Sequence, residues 1–221
     1  MSQGIPFRFL SFTFITFILL FLIGISGLVS AQEQELPEDP FQRGLALLKL
    51  FRYEEAKNSF DVVINQDSSH TMALYCRGIC LVKLNQLEAA MNDFNKTLQL
   101  NEQFSLGYVG QAQVYIKQEN FPKAMEVINT ALSLDEKNAE ALYQKGVVYG
   151  YQNDKNNAIE CFEKCLEIMP DHAYAHYQVG LAYYHSNRPD LAIVHLEKFL
   201  ELAAEAPEAE QVRNLLNFLR R

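Results

Sequence analysis

The chain has 221 residues, of which 49% are apolar, 12% aromatic and 21% charged, enough apolar material for a packed core. Ten glycines, seven prolines and no tryptophan exclude a collagenous or low-complexity polymer. A formal charge of −8 without a basic stripe excludes a nucleic-acid binder driven by phosphate contacts.

The first element in chain order is apolar. Arg8 is the only charged residue before Glu33, and LSFTFITFILLFLIGISGLV lies between them. It ends at Val29-Ser30-Ala31, small residues that suit signal peptidase, just before polar QEQE. Residues 1–31 read as a secretory signal peptide cut after Ala31. The apolar run of about 20 residues is also long enough to span a bilayer, so an uncleaved anchor over residues 9–29 stands beside it. Both readings give one topology. Arg8 precedes the segment and Glu33, Glu35, Glu38 and Asp39 follow it. The positive-inside rule therefore sends the rest of the chain across the membrane. An extracytoplasmic place follows, periplasmic or secreted after cleavage, membrane-anchored without it. Residues 32–36 read as a linker.

From residue 37 the chain repeats itself every 34 residues. One column is small: Gly44, Gly78, Ala112, Gly146 and Gly180. A second is wholly alanine: Ala56, Ala90, Ala124, Ala158 and Ala192. A third is large and apolar: Phe60, Phe94, Ile128, Phe162 and Leu196. These columns hold over five cycles without an insertion. Within one cycle Leu142, Lys145, Gly146 and Tyr149 recur at helical spacing, then a polar NDKNN turn follows. Ala158, Ile159, Phe162, Cys165, Leu166 and Met169 make a second helical stripe. Each cycle is therefore two antiparallel helices. The small column allows close approach of the second helix, and the large column fills the space between them.

This pattern resembles the tetratricopeptide repeat family, a 34-residue helix–turn–helix unit. In one cycle Gly146, Tyr149, Ala158, Phe162 and Pro170 all match the family pattern. The resemblance implies an all-α, right-handed superhelical solenoid. Its five repeats fall at 37–70, 71–104, 105–138, 139–172 and 173–204. Three departures stand out: Pro40 and His176 replace the bulky residue four before the small column, Thr97 replaces a small apolar one, and only the fourth repeat keeps the closing proline. Residues 205–221 read as a capping helix, with Pro207 in its first turn and Val212, Leu215, Leu216 and Leu219 on one stripe. A solenoid needs such a cap to cover its last apolar face.

The resemblance also implies that the first helix of each repeat lines a concave surface where peptides or helices dock. Helical arithmetic places that face at three and two residues before the small column and one, four and five after it. Along the stack it offers Phe41, Leu45 and Lys49, then Tyr75, Ile79 and Lys83, then Gln113 and Lys117. It continues with Tyr143 and Gln144, then Tyr177, Gln178, Leu181, Tyr184 and His185. Apolar anchors, tyrosines and glutamine donors suit a partner helix or hydrophobic strand. The carboxylate clamp of some family members is not reproduced, because apolar residues such as Ile79 and Val109 stand in its places.

Chemistry is sparse. Cys76 and Cys80 are spaced i, i+4, as are Cys161 and Cys165, but the pairs lie in different repeats and lack knuckle spacing. They read as buried thiols. His172 and His176 share the same spacing, with His172 in a turn and His176 at a packing position. No phosphate loop or hydrolase motif appears. The sequence thus predicts a non-catalytic interaction scaffold with a protein or peptide partner. It predicts no cofactor, no metal, no nucleic acid and no small-molecule substrate. A membrane-anchored accessory subunit of a secretion, pilus or envelope-assembly complex is the alternative.

Overall fold

The computed structural model describes residues 36–220. The signal segment and all but the last linker residue lie outside the described residues. Eleven α-helices follow one another among the described residues, with no strand. The inner and outer helices alternate: α1 Pro40–Lys49 and α2 Tyr53–Gln66, α3 Thr71–Lys83 and α4 Leu87–Leu100, α5 Ser105–Lys117 and α6 Phe121–Leu134. Then come α7 Ala139–Tyr151 and α8 Lys155–Ile168, α9 Ala173–His185 and α10 Pro189–Leu202, and last α11 Ala209–Leu219.

Each inner helix ends on a residue with positive φ: Phe51, Asn85, Glu119, Asn153 and Asn187. The next residue's N–H then reaches back to the helix, as in Gln86 N to Leu81 O at 2.8 Å and Asp154 N to Tyr149 O at 2.9 Å. This left-handed cap satisfies carbonyls that the helix end leaves open, and asparagine tolerates it better than most residues. The turn is short, so the outer helix folds straight back on the inner one.

The repeated columns become the seam between the two layers. All five column alanines are buried, and Phe60, Phe94, Ile128 and Leu196 are 0% exposed. Phe94 explains the glycines. A Cβ on Gly78 would lie 2.5 Å from its ring, and one on Gly110 would lie closer still. Phe94 therefore sits between two consecutive inner helices that only glycine lets approach. Full burial of such a ring contributes about 1.5–3 kcal/mol.

The inner helices also pack on each other, α1 on α3, α3 on α5 and α5 on α7, while no two outer helices pack comparably. That asymmetry makes the inner side concave. The departures have local reasons. Pro40 opens α1, where Asp39 caps the helix by accepting from Gln42 N at 2.8 Å. Thr97 is fully buried, and its hydroxyl donates to Phe94 O at 2.7 Å. His176 sits with Nε2 2.8 Å from Pro170 O and Nδ1 3.0 Å from His195 Nδ1. Arg77 on α3 ties the first two repeats together, binding Asp93 on α4 at 2.8 and 2.6 Å and Asp61 on α2 at 2.7 Å.

At the C-terminal end Val212 and Leu216 of α11 join Leu196, Phe199, Ala203 and Ala206 in one apolar cluster. The helix starts at Ala209, two residues later than the proline rule places it. Glu208 stands at its N-cap and accepts from the Tyr174 hydroxyl with Oε2 at 2.9 Å. No described helix is long and apolar enough to cross a membrane.

Candidate functional site: a chamber on the concave face

The concave side forms a half-open groove of about 890 Å3. Its wall is made by α3, α5, α7 and α9, the turn between α1 and α2, and the entry to α11. Of the face predicted from helical arithmetic, Tyr75, Ile79, Lys83, Gln113, Lys117, Tyr143, Gln144, Tyr177 and Gln178 line it. Phe41, Leu45, Lys49, Leu181, Tyr184 and His185 lie outside it. Phe41 packs instead on Phe60 and His70, with ring centroids 5.9 and 5.0 Å away. Tyr184 lies against His185, centroids 5.1 Å apart, and both Lys49 and His185 are exposed. The predicted face therefore meets in the middle repeats and splays at both ends.

Four residues on the wall were invisible to that arithmetic: Phe51, Tyr53, Glu140 and Tyr174. His172 and Glu208 join them from turns. Glu140 and Tyr174 occupy one repeat position, six residues before the small column. That is one helical turn before the predicted face, so extending the stripe by a turn finds them.

Glu140 anchors a polar cluster. Gln144 Nε2 donates to its Oε1 at 2.8 Å. The His172 ring is oriented by backbone: its Nδ1 caps α9 by accepting from Ala175 N at 3.0 Å. That leaves the proton on Nε2, which donates to Glu140 Oε2 at 3.1 Å. Burial works to raise the Glu140 pKa, but the hydrogen bonds from His172 and Gln144 and the charge of Lys83 outweigh it. The carboxyl is held below its usual range and stays ionised.

The other wall groups feel the same enclosure. Burial, then the charge of Glu140, push the Tyr143 hydroxyl far up. Burial likewise raises Tyr75 well above its ordinary value and Tyr53 to about 12. Burial lowers Lys83, opposed by Glu140 and aided by Lys117. At neutral pH the tyrosines are therefore neutral donors, with apolar bodies and polar tips. Tyr143 lies 5.6 Å from Phe162 and 4.7 Å from His172 by ring centroid, and Tyr177 lies 5.1 Å from Phe199. These rings serve seam and cavity at once.

The four cysteines are buried free thiols. Cys76 alone lines the cavity. Burial raises Cys76, Cys80 and Cys165 to about 12, so all three are protonated and poor nucleophiles at neutral pH. His172 and His176 point to different partners, Glu140 and Pro170 with His195. Among the described residues no three His, Cys, Asp or Glu side chains cluster as a metal site would need.

Two family models, each described as tetratricopeptide repeat, match residues 139–172 for one and 107–138 and 173–205 for the other. Residues 107–205 therefore carry tetratricopeptide repeats. A thermophilic TPR protein of Thermus thermophilus is 20% identical with TM-score 0.68, covering 83% of this chain and 98% of that one. A tetratricopeptide repeat protein from Parabacteroides merdae is 19% identical with TM-score 0.69, covering 95% of this chain and 80% of that one. These likenesses establish a helical TPR solenoid fold. No curated protein matches the chain.

Proposed function

We propose that this repeat solenoid is a non-catalytic scaffold outside the cytoplasm that holds a peptide or helix of a partner protein in its concave chamber. Tetratricopeptide repeats indicate protein or peptide partners, and one observation carries the placement. The inner face gathers tyrosine, glutamine and aliphatic side chains around about 890 Å3 of open space. A helix is about 10–12 Å across with a 5.4 Å pitch, so the chamber takes roughly two turns, or a comparable extended stretch. Partner apolar groups would meet Ile79, Val147 and the tyrosine faces. Partner backbone would meet Gln113, Gln144 and Gln178. The extracytoplasmic place rests on the apolar segment, the Val29-Ser30-Ala31 ending and the charge asymmetry around them.

The test must avoid rings buried in the seam; Tyr151 stacks on Phe121 with centroids 5.2 Å apart but is 64% exposed. Lys117 and Tyr151 line the chamber and are exposed. A Lys117→Glu, Tyr151→Ala protein should lose partner recovery in a pull-down from native cells while its melting temperature stays within a degree or two. Undiminished recovery would overturn the chamber as the docking site.

The length of the apolar segment favours a second reading, an anchored accessory subunit of a secretion, pilus or envelope-assembly complex. Intact mass of the native protein separates the two. A species lacking residues 1–31 excludes the anchor, and a full-length species excludes cleavage.

A further inference from the structure

The chamber is bounded by the two ends of the chain's own solenoid. Phe51, in the turn of the first repeat, packs against the apolar cluster of α10 and α11 that includes Leu196, Val212 and Leu216. Beside it, Lys83 of the second repeat places its Nζ 5.5 Å from the Tyr174 ring centroid of the fifth. Tyr174 in turn holds Glu208 at the entry to α11. Phe51, Tyr53, Lys83, Tyr174 and Glu208 all line the chamber. The groove is therefore spanned from first repeat to cap.

The residue that spans it is out of keeping with its position. The equivalent turns hold Asn85, Glu119, Asn153 and Asn187, and only the first holds a bulky aromatic, Phe51 at φ 58°. A left-handed backbone is strained for a phenylalanine, whose Cβ meets the following carbonyl. Asparagine would relieve that strain. The turn's own backbone bonds hold this conformation, with Arg52 N donating to Leu47 O at 3.0 Å as in the sister turns, and the far end of the solenoid adds the packing of the Phe51 ring.

We propose that Phe51 is a latch, bridging the concave groove by docking on the C-terminal cap, and that its release widens the groove for a partner. The closed state is held by the burial of the Phe51 ring and opposed by the strain in its own turn. A balance of opposing contributions of this kind makes a two-state element. A partner that enters the groove prefers the open state and shifts the balance toward it. That gating role rests on the chamber being the partner site; the latch itself does not.

Cys76 gives a readout that needs no partner. Its thiol faces the chamber and is 5% exposed, whereas Cys165 on α8 is 0% exposed and packs with Ala139 and Ala175 away from it. Burial raises both thiols to about 12, so their alkylation rates differ through access and not through thiolate fraction. The experiment is alkylation of the purified protein with N-ethylmaleimide at neutral pH, followed by peptide mapping of each cysteine, for wild type and Phe51→Asn. Asparagine is the residue that three sister turns already use, so the turn itself is preserved. The latch predicts at least a tenfold faster modification of Cys76 with Cys165 unchanged. An unchanged Cys76 rate overturns it. A parallel rise at both cysteines also overturns it, because the substitution would then be loosening the whole fold. If Lys117→Glu, Tyr151→Ala leaves partner recovery intact while Phe51→Asn still exposes Cys76, the docking site is elsewhere and the latch stands.

Discussion

The seam between inner and outer helices and the wall of the chamber are built on the same inner helices, yet they use the 34-residue period in opposite ways. In the seam each column keeps its character. Alanine recurs five times, and large apolar residues face small ones throughout. Along the inner face that supplies the chamber wall, the column five residues after the small one reads Lys49, Lys83, Lys117, Tyr151, His185. The column six residues before it reads Glu38, Met72, Leu106, Glu140, Tyr174. The difference is physical. A ring such as Phe94 is held between Gly78 and Gly110, and nothing larger or smaller fits. The wall faces open space, so its side chains are free to differ from repeat to repeat. Stability is repeated and recognition is not.

The largest effect should come from breaking the seam. Phe94→Ala removes a fully buried ring from a site that two helices enclose, and should cost about 3–5 kcal/mol by urea denaturation. Loss of less than about 1 kcal/mol would mean that the seam repacks and the contrast with the wall is weaker than drawn.

A smaller effect should come from Glu140, the half-buried acid of the wall. Its folded pKa is held below the ordinary value of 4.5. A carboxyl of that kind contributes stability above its unfolded pKa and loses it as pH falls through the folded one. Glu140→Gln should therefore flatten the fall in melting temperature below about pH 4.5, while changing its pH dependence little between about pH 6 and pH 8. Equal slopes for both proteins in the acid range would show that the cluster with His172 and Gln144 carries no linkage.

The smallest effect should favour the mutant. Gly150 lies on the wall near the end of α7, and a Cβ there would meet nothing within 4 Å. Gly150→Ala should raise stability by up to about 1 kcal/mol through helix propensity alone. Alanine at Gly78 must instead push the Phe94 ring aside and should lower it. If both substitutions act alike, the two regions are not built differently.

The seam was legible in the sequence because one local constraint is written five times. Helix pairing and the middle of the wall followed from the same arithmetic, and the concave side from the family resemblance. The polar cluster did not follow. His172 reads as a turn residue, and only the fold shows that capping α9 with Nδ1 leaves Nε2 to donate to Glu140, 32 residues earlier. Phe51 is likewise an ordinary aromatic in sequence. Its meaning comes from a left-handed turn and a contact with a cluster beyond residue 190. The Tyr174 hydroxyl that donates to Glu208 at the entry to α11 comes from 34 residues earlier, a partner that no local rule contains. What stayed hidden is long-range, polar at Glu140 and apolar at Phe51, and what was visible is short-range and repeated.

The central claim, that recognition is confined to the concave wall, is tested most directly by a photo-crosslinking side chain at two matched positions. Tyr151 lines the chamber and is 64% exposed, and Val194 on the outer helix α10 is 61% exposed and outside it. In native cells a crosslinker at 151 should capture a partner and one at 194 should not. Capture from 194 alone, or equally from both, would contradict the account.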